Sequence, residues 1–388
     1  MKIVYLLPGG LYNSAGMERV ITIKANYLAD VYNYDVSIVT TEQMGRPVFY
    51  PLSNKVCVYH LNIGIHENFG KETYLQKVVS RFLKTREYRK KLEKLLDEVR
   101  PDITITTLGG WDIEFINDLK DGSIKIGELH LSYDYRKEMA RKLYDSYVPN
   151  LVGRIMTEDF KQKCKKLRQL IVLTEEEKSF WIEHPNVIVI PNPSPFVAHR
   201  SSTTKNKKAI AVGRLVYDKG FDLLVEAWKK VLEKHPEWEL SIFGNGAQKE
   251  TLSGLIEESG LERVVKLSGV VENIHEHYPD YSILIFPTRA TDALPMVIIE
   301  AMSYGLPVVA FNISCGPKEL IKDGKNGFLV DSGDVDGLTE KINELIESDD
   351  LRKAMGQTAI EVASDFKIEK VMDRWIHLFE ELADEEKY

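Results

Sequence analysis

The chain has 388 residues, 44% of them hydrophobic and 28% charged, with glycine and proline dispersed along it. This excludes fibrous, low-complexity and disordered classes, and at roughly 100–200 residues per domain the length predicts two domains, each able to bury a core. The net charge of −8 hides an asymmetry: residues 1–200 carry 29 Lys and Arg against 25 Asp and Glu, the remainder 22 against 34, so the halves offer different surfaces to partners.

The chain opens on a strand pattern at 2–8 rather than on a signal peptide, and no apolar run approaches the ~20 residues that span a bilayer. Further strand patterns at 35–41, 56–62, 102–108, 124–131, 169–174 and 187–191, with helical patterns between most of them, predict a doubly wound parallel sheet. Pro191-Asn-Pro-Ser-Pro195 and the polar run 201–208 then interrupt the pattern and form a linker. A second series follows at 209–214, 239–244, 264–268, 282–287 and 307–311. The expected fold class is α/β, with two Rossmann-like doubly wound domains facing across a cleft. The first covers 1–193, the second 194–367, and a C-terminal helix at about 368–388 packs back on the first. Cys57, Cys164 and Cys315 form no paired motif, which fits a reducing, cytoplasmic setting without metal-ligand spacing. His275 and His277 beside Glu276 read as surface residues rather than ligands.

Ligands of open parallel sheets gather at the carboxyl ends of strands, and four loops there are distinctive. Gly9-Gly-Leu-Tyr-Asn-Ser-Ala-Gly16-Met-Glu18 leaves the first strand and opens a helix, where small residues let a phosphate or sugar approach backbone N–H groups. The plainer reading is a tight turn that needs glycine, and the stretch has no G-x-G-x-x-G dinucleotide fingerprint. Val212-Gly213-Arg214-Leu-Val-Tyr-Asp-Lys219-Gly220 places two cations at a strand-to-helix step. They can neutralise a diphosphate leaving group, or be solvated surface charges. Phe243-Gly244-Asn-Gly246 is a further glycine turn. The fourth loop, Asp292-Ala-Leu-Pro-Met-Val-Ile-Ile-Glu300, follows the strand-like run 281–287. Pro295 suits the first turn of a helix, N–H groups at Leu294 to Val297 can receive a diphosphate, and Glu300, one to two turns along, can hydrogen-bond a diol. This set suits a nucleotide-sugar.

Arg214…Lys219, Gly244-Asn-Gly246, Asp292 with seven residues before Glu300, Gly305-Leu-Pro-Val-Val, and Gly316-Pro-Lys-Glu-Leu-Ile-Lys-Asp-Gly-Lys-Asn-Gly327 together resemble glycosyltransferase family 4. Ser14-Ala-Gly-Met-Glu-Arg-Val20, His130, Val172-Leu-Thr174 and Ile190-Pro-Asn-Pro193 extend the resemblance over nearly the whole length. It implies the GT-B fold and transfer of a hexose or N-acetylhexosamine from a UDP-linked donor with retention of configuration. The acceptor would be a saccharide or lipid-linked saccharide, in synthesis of a capsule, lipopolysaccharide or other surface polysaccharide. It also implies roles: Arg214 and Lys219 on the diphosphate, beside Gly213 and Gly244; Leu294, Pro295, Met296 and Val297 at the phosphate; Glu300 on the ribose; Gly16 against phosphate or acceptor; His130 near the reacting sugar; Asp292 on donor-sugar hydroxyls. Where the family commonly shows Glu-Gly-Leu-Pro, this chain has Asp292-Ala293-Leu-Pro295, and Ala15 replaces a common glycine. The family precedent is front-face displacement without an enzyme nucleophile, metal ion or other cofactor, so the protein's work is positioning and electrostatics. A nucleotide-sugar epimerase and a non-catalytic sugar-nucleotide binding protein are the alternatives.

Residues 71–100 carry ten Lys or Arg against five acids, with Leu75, Val78, Val79, Phe82 and Leu83 at helical spacing. Such a helix can dock on an anionic membrane surface, or face the core and present a solvated basic side. Residues 161–168 add a second basic segment. No nucleic-acid-binding module is present.

Overall fold

The computed structural model describes all residues other than 14–15, 66–73, 133–148, 197, 199 and 386–388. The chain divides into two compact units, Met1–Pro193 with Glu369–Tyr388, and Ser194–Ile368. The first holds β1 (Lys2–Leu7), α1 (Gly16–Asp30), β2 (Asp35–Thr40), β3 (Cys57–His60), α2 (Tyr74–Val99), β4 (Ile103–Thr106), β5 (Ile124–Glu128), α3 (Pro149–Cys164), β6 (Gln169–Val172), α4 (Glu175–Ser179) and β7 (Val187–Val189). Its seven strands pair in parallel in the order β3-β2-β1-β4-β5-β6-β7. Central strands β1 and β4 are buried on both faces, β1 as a continuous apolar run from Ile3 to Leu7 and β4 with Thr104 and Thr106 buried in alternation with Ile103 and Ile105.

The second unit holds β8 (Lys208–Val212), α5 (Phe221–Leu232), β9 (Glu239–Phe243), α6 (Lys249–Glu258), β10 (Val265–Gly269), β11 (Ile283–Phe286), α7 (Met296–Ser303), β12 (Val308–Asn312), α8 (Pro317–Leu320), β13 (Gly327–Asp331), α9 (Val335–Glu347) and α10 (Asp349–Ala363). The parallel order is β10-β9-β8-β11-β12-β13. On α5, Phe221, Leu224, Val225, Trp228 and Val231 form the buried stripe, the i, i+3, i+4 spacing that turns one helix face to the sheet. The last helix, α11 (Ile368–Glu385), buries Val371, Met372, Trp375, Phe379 and Leu382, and residues from Glu369 onward belong to the first unit.

Three features depart from the sequence expectations. β13 was not among the predicted strands, because Phe328-Leu-Val330 is a short apolar run between a Gly-Lys-Asn-Gly turn and Asp331; pairing along β12 from Val308 to Asn312 makes it a strand. Several strands end earlier than their apolar runs, β5 at Glu128 rather than 131, since the chain leaves the ladder to build the loops at the sheet's carboxyl edge. On α2 the core face is Tyr88, Leu92, Leu95 and Leu96, whereas Val79, Phe82 and Leu83 are 56%, 66% and 57% exposed. The side chains of Leu75 and Val78, and residues 71–73, lie outside the described residues. Among the described residues no helix is long and apolar enough to cross a membrane.

Candidate functional site

A doubly wound sheet opens a crevice where its strand order reverses, because the loops after the two flanking strands diverge to opposite faces. In the second unit those strands are β8 and β11. Gly213 follows β8 and donates its N–H to the Phe243 carbonyl at 3.0 Å. Gly244, at φ +142°, passes so close that a Cβ there would stand 1.8 Å from the Gly213 carbonyl oxygen, so the loops after β8 and β9 meet backbone to backbone and only glycine fits. The Arg214 carbonyl accepts from the Val216 N–H at 2.8 Å, while its exposed guanidinium makes no hydrogen bond or ion pair among the described residues. Lys219 closes one turn of 3-10 helix, and the left-handed Gly220 (φ 67°) then starts α5 hard against β11's exit, where a Cβ would stand 2.0 Å from the Pro287 carbonyl oxygen.

That approach brings two sequence-predicted residues together. The Lys219 ammonium donates to Asp292 Oδ2 at 2.9 Å, with 19% and 26% of the two side chains exposed and the Phe286 ring 5.3 Å from the cation. Asp292 therefore does not cap α7, which has no side-chain cap; Pro295 is its N-cap rather than a first-turn residue, and its carbonyl accepts from the Ile298 N–H at 3.0 Å. The first-turn N–H groups of Met296 and Val297 have no carbonyl four residues back to bond. Both side chains are half-buried, and Leu294 is buried. Glu300 is 2% exposed, and the Tyr278 hydroxyl, stacked on Tyr304, donates to its Oε2 at 2.9 Å.

Sequence reasoning missed Tyr278 and a second clamp on the same loop. Arg289 Nη2 donates to both Asp222 oxygens, at 2.7 and 2.8 Å, and its guanidinium lies 4.1 Å from the Tyr217 ring centre. No local spacing announces a pair 67 positions apart.

In the first unit the order reverses between β1 and β4. Within Gly9-Gly-Leu11, the Gly9 N–H donates to Thr41 Oγ1 at 2.9 Å and the Leu11 N–H to Gln43 Oε1 at 2.8 Å, so these groups build a turn and are not open to a phosphate. Gly16 begins α1 with open space where a Cβ would stand, so packing within the protein does not demand glycine there. Ser14 and Ala15 lie outside the described residues. The Glu18 carboxyl is buried in α1's first turn, and burial raises its pKa against the opposing pull of its own backbone N–H, Asn13 and His130.

His130 lies two residues beyond β5 with its side chain 5% exposed, and its Nε2 is 3.3 Å from Glu128 Oε1, close but without hydrogen-bond alignment. Glu128 accepts from the Lys24 ammonium at 2.7 Å on each oxygen, both side chains being fully buried. Burial pushes the Glu128 carboxyl up, but Lys24 and then His130 pull it down further, to about 2. Burial likewise lowers Lys24, an effect that Glu128 partly offsets.

Residues 197–362 match the family model of glycosyl transferases group 1. An uncharacterized glycosyltransferase of Haemophilus influenzae is 29% identical over 370 residues, 94% of this chain and 96% of the relative. The amylovoran biosynthesis glycosyltransferase AmsD of Erwinia amylovora is also 29% identical, over 95% of this chain and 97% of its own. Among solved structures, a TarM variant of S. aureus in complex with fondaparinux, alpha-GlcNAc-glycerol and UDP matches with a TM-score of 0.76 at 18% identity, covering 97% of this chain and 99% of that one. Residues 197–362 thus carry the glycosyl transferases group 1 match, and the chain is a glycosyltransferase of the GT-B fold, with two all-parallel α/β units.

Proposed function

We propose that the protein is a retaining, family 4 glycosyltransferase that moves a hexose or N-acetylhexosamine from a UDP-sugar to a saccharide or lipid-linked saccharide in surface polysaccharide synthesis. The observation that carries this reading is the meeting of Lys219 and Asp292 at the β8/β11 reversal, beside the first turn of α7. A diphosphate at that helix start finds N–H donors and the positive end of the helix dipole, with Arg214 and Lys219 as cations of complementary shape. Buried Glu300 supplies the acceptor for ribose hydroxyls. The amylovoran biosynthesis role in AmsD's name and the UDP bound to TarM support the substrate class.

In this reading the bond from the anomeric carbon to the diphosphate oxygen breaks with its electron pair leaving on the diphosphate. Arg214, Lys219 and the α7 N–H groups stabilise that charge. The acceptor hydroxyl attacks from the same face and its proton passes to the departing diphosphate. Asp292 and His130 act on the sugar, and no metal ion is required. The exposed Val79, Phe82 and Leu83 beside the basic positions of α2 support docking on an anionic membrane face.

Because Lys219 is shared between Asp292 and the incoming diphosphate, Asp292→Asn separates the roles. UDP affinity by calorimetry is expected to hold or rise, while release of UDP from UDP-glucose, UDP-galactose or UDP-N-acetylglucosamine falls. Equal loss of both would refute the sugar-side role of Asp292. Lys219→Met is expected to weaken UDP binding by about 1.5–3 kcal/mol, the range for a hydrogen bond to a charged group; unchanged affinity would remove Lys219 from the diphosphate site.

A further inference from the structure

The end of β5 carries more charge than holding a helix on a sheet requires. Lys24 of α1 and Glu128 are 0% and 1% exposed. The Trp375 ring centre of α11 lies 3.7 Å from the ammonium and the Tyr5 ring centre 5.5 Å from it. Two charges removed from water stabilise a fold no better than a packed apolar pair of the same volume, so the pair's contribution is sought elsewhere. A carboxylate fixed 3.3 Å from the Nε2 of His130 does what an apolar pair cannot. Its charge, close to Nε2 though without an aligned hydrogen bond, electrostatically favours the tautomer that carries the proton there and so sets what the other ring nitrogen can do.

We infer that Glu128, clamped by Lys24 beneath Trp375, is a positioning residue for His130: it keeps the ring proton on Nε2 and leaves Nδ1 as the hydrogen-bond acceptor for a substrate hydroxyl. The inference rests on the proposed role of His130 at the sugar. Lys24 gives Glu128 a single position, because both carboxylate oxygens are held by one ammonium. The aromatic wall of Trp375 covers that ammonium, so the C-terminal helix, about 350 residues along the chain, is part of the support.

The test replaces both charges at once, with Lys24→Met and Glu128→Gln together, so that no lone buried charge remains to unfold the unit. Nitrogen chemical shifts of histidine-labelled protein report the His130 tautomer without any substrate. The wild type is expected to show the Nε2–H form and the double variant a mixture; unaltered shifts in the double variant, or an Nδ1–H wild type, overturn the inference. Should the double variant misfold, Glu128→Asp keeps both charges but withdraws the carboxylate by one methylene, and it is expected to shift the same signals in the same direction. UDP release from UDP-glucose, UDP-galactose and UDP-N-acetylglucosamine then separates two failures. Release up to about 100-fold slower in both His130→Ala and the double variant, with UDP affinity unchanged, is the expected result for a misplaced group. Loss in His130→Ala alone overturns the role of Glu128 and spares that of His130. Wild-type release in His130→Ala removes His130 itself from the proposed function, and the inference with it.

Discussion

Gly220 joins the turn that carries Lys219 to α5, and its replacement by alanine tests whether that turn is held in place by contact with β11's exit. Two effects add at this position. The left-handed backbone at φ 67° disfavours any Cβ by about 1–2 kcal/mol, partly offset by the ~0.4–1 kcal/mol that alanine contributes by restricting the unfolded chain. The new Cβ would also stand 2.0 Å from the Pro287 carbonyl oxygen, so one backbone segment must move by about an ångström to restore van der Waals contact, an overpacking cost of roughly 1–3 kcal/mol. Gly260 provides the control, since its φ is +68° but nothing lies within 4 Å of its Cβ position. Gly260→Ala is therefore expected to cost about 1 kcal/mol or less, and Gly220→Ala about 2–4 kcal/mol, in urea unfolding followed through the Trp228 and Trp238 fluorescence of the second unit. UDP affinity should fall in Gly220→Ala alone, because relief of the clash displaces Lys219 from Asp292. If both variants unfold at the same urea concentration, the close approach contributes nothing and the reasoning fails.

Acid should act on the Lys24–Glu128 pair: a folded-state pKa of about 2, depressed from an ordinary 4.5, gives stability that is present above pH 4.5 and lost as the pH falls toward 2. At 1.36 kcal/mol per pKa unit the loss is on the order of 3 kcal/mol, so unfolding curves of the wild type should drop by about that much more between pH 5 and 2 than those of Lys24→Met with Glu128→Gln; parallel pH dependences would contradict it. Buried Arg352 donates to the α9 carbonyls of Leu345 and Ile346, at 2.5 and 2.9 Å, and to Thr204 O at 2.8 Å. Arg352→Met orphans all three and is expected to cost about 3 kcal/mol or more in urea unfolding, whereas a loss below 1 kcal/mol would mean water replaces the guanidinium. On α2, Arg81 already pairs with Glu114 at 3.2 Å and Lys84 with the Gly64 carbonyl, so the apolar residues make the sharper membrane test. Phe82→Ser with Leu83→Ser should weaken flotation with phosphatidylglycerol vesicles at least about tenfold, and equal flotation would leave this face without a membrane role.

Alternation of apolar runs with helical patterns was enough to read two parallel α/β sheets, because strands covered by helices on both faces are predominantly apolar along their length. Arg214, Lys219 and Asp292 stood out as candidates for a related reason: they follow the ends of strand runs, where the ligand loops of such sheets lie, with Glu300 on the helix after the last of them. Tertiary structure alone decided which of them meet. Lys219 and Asp292 are 73 positions apart and touch because strand order, invisible in local spacing, reverses between β8 and β11. The same holds for Lys24 and Glu128, 104 positions apart, and for Trp375 above them: a lysine inside α1 reads as a solvated charge until the fold buries it. β13 shows the limit from the other side, since a three-residue apolar run becomes a strand only when β12 offers it an edge. Periodicity and strand ends are properties of neighbouring residues, whereas burial and partnership depend on segments that only the folded chain brings within hydrogen-bond distance.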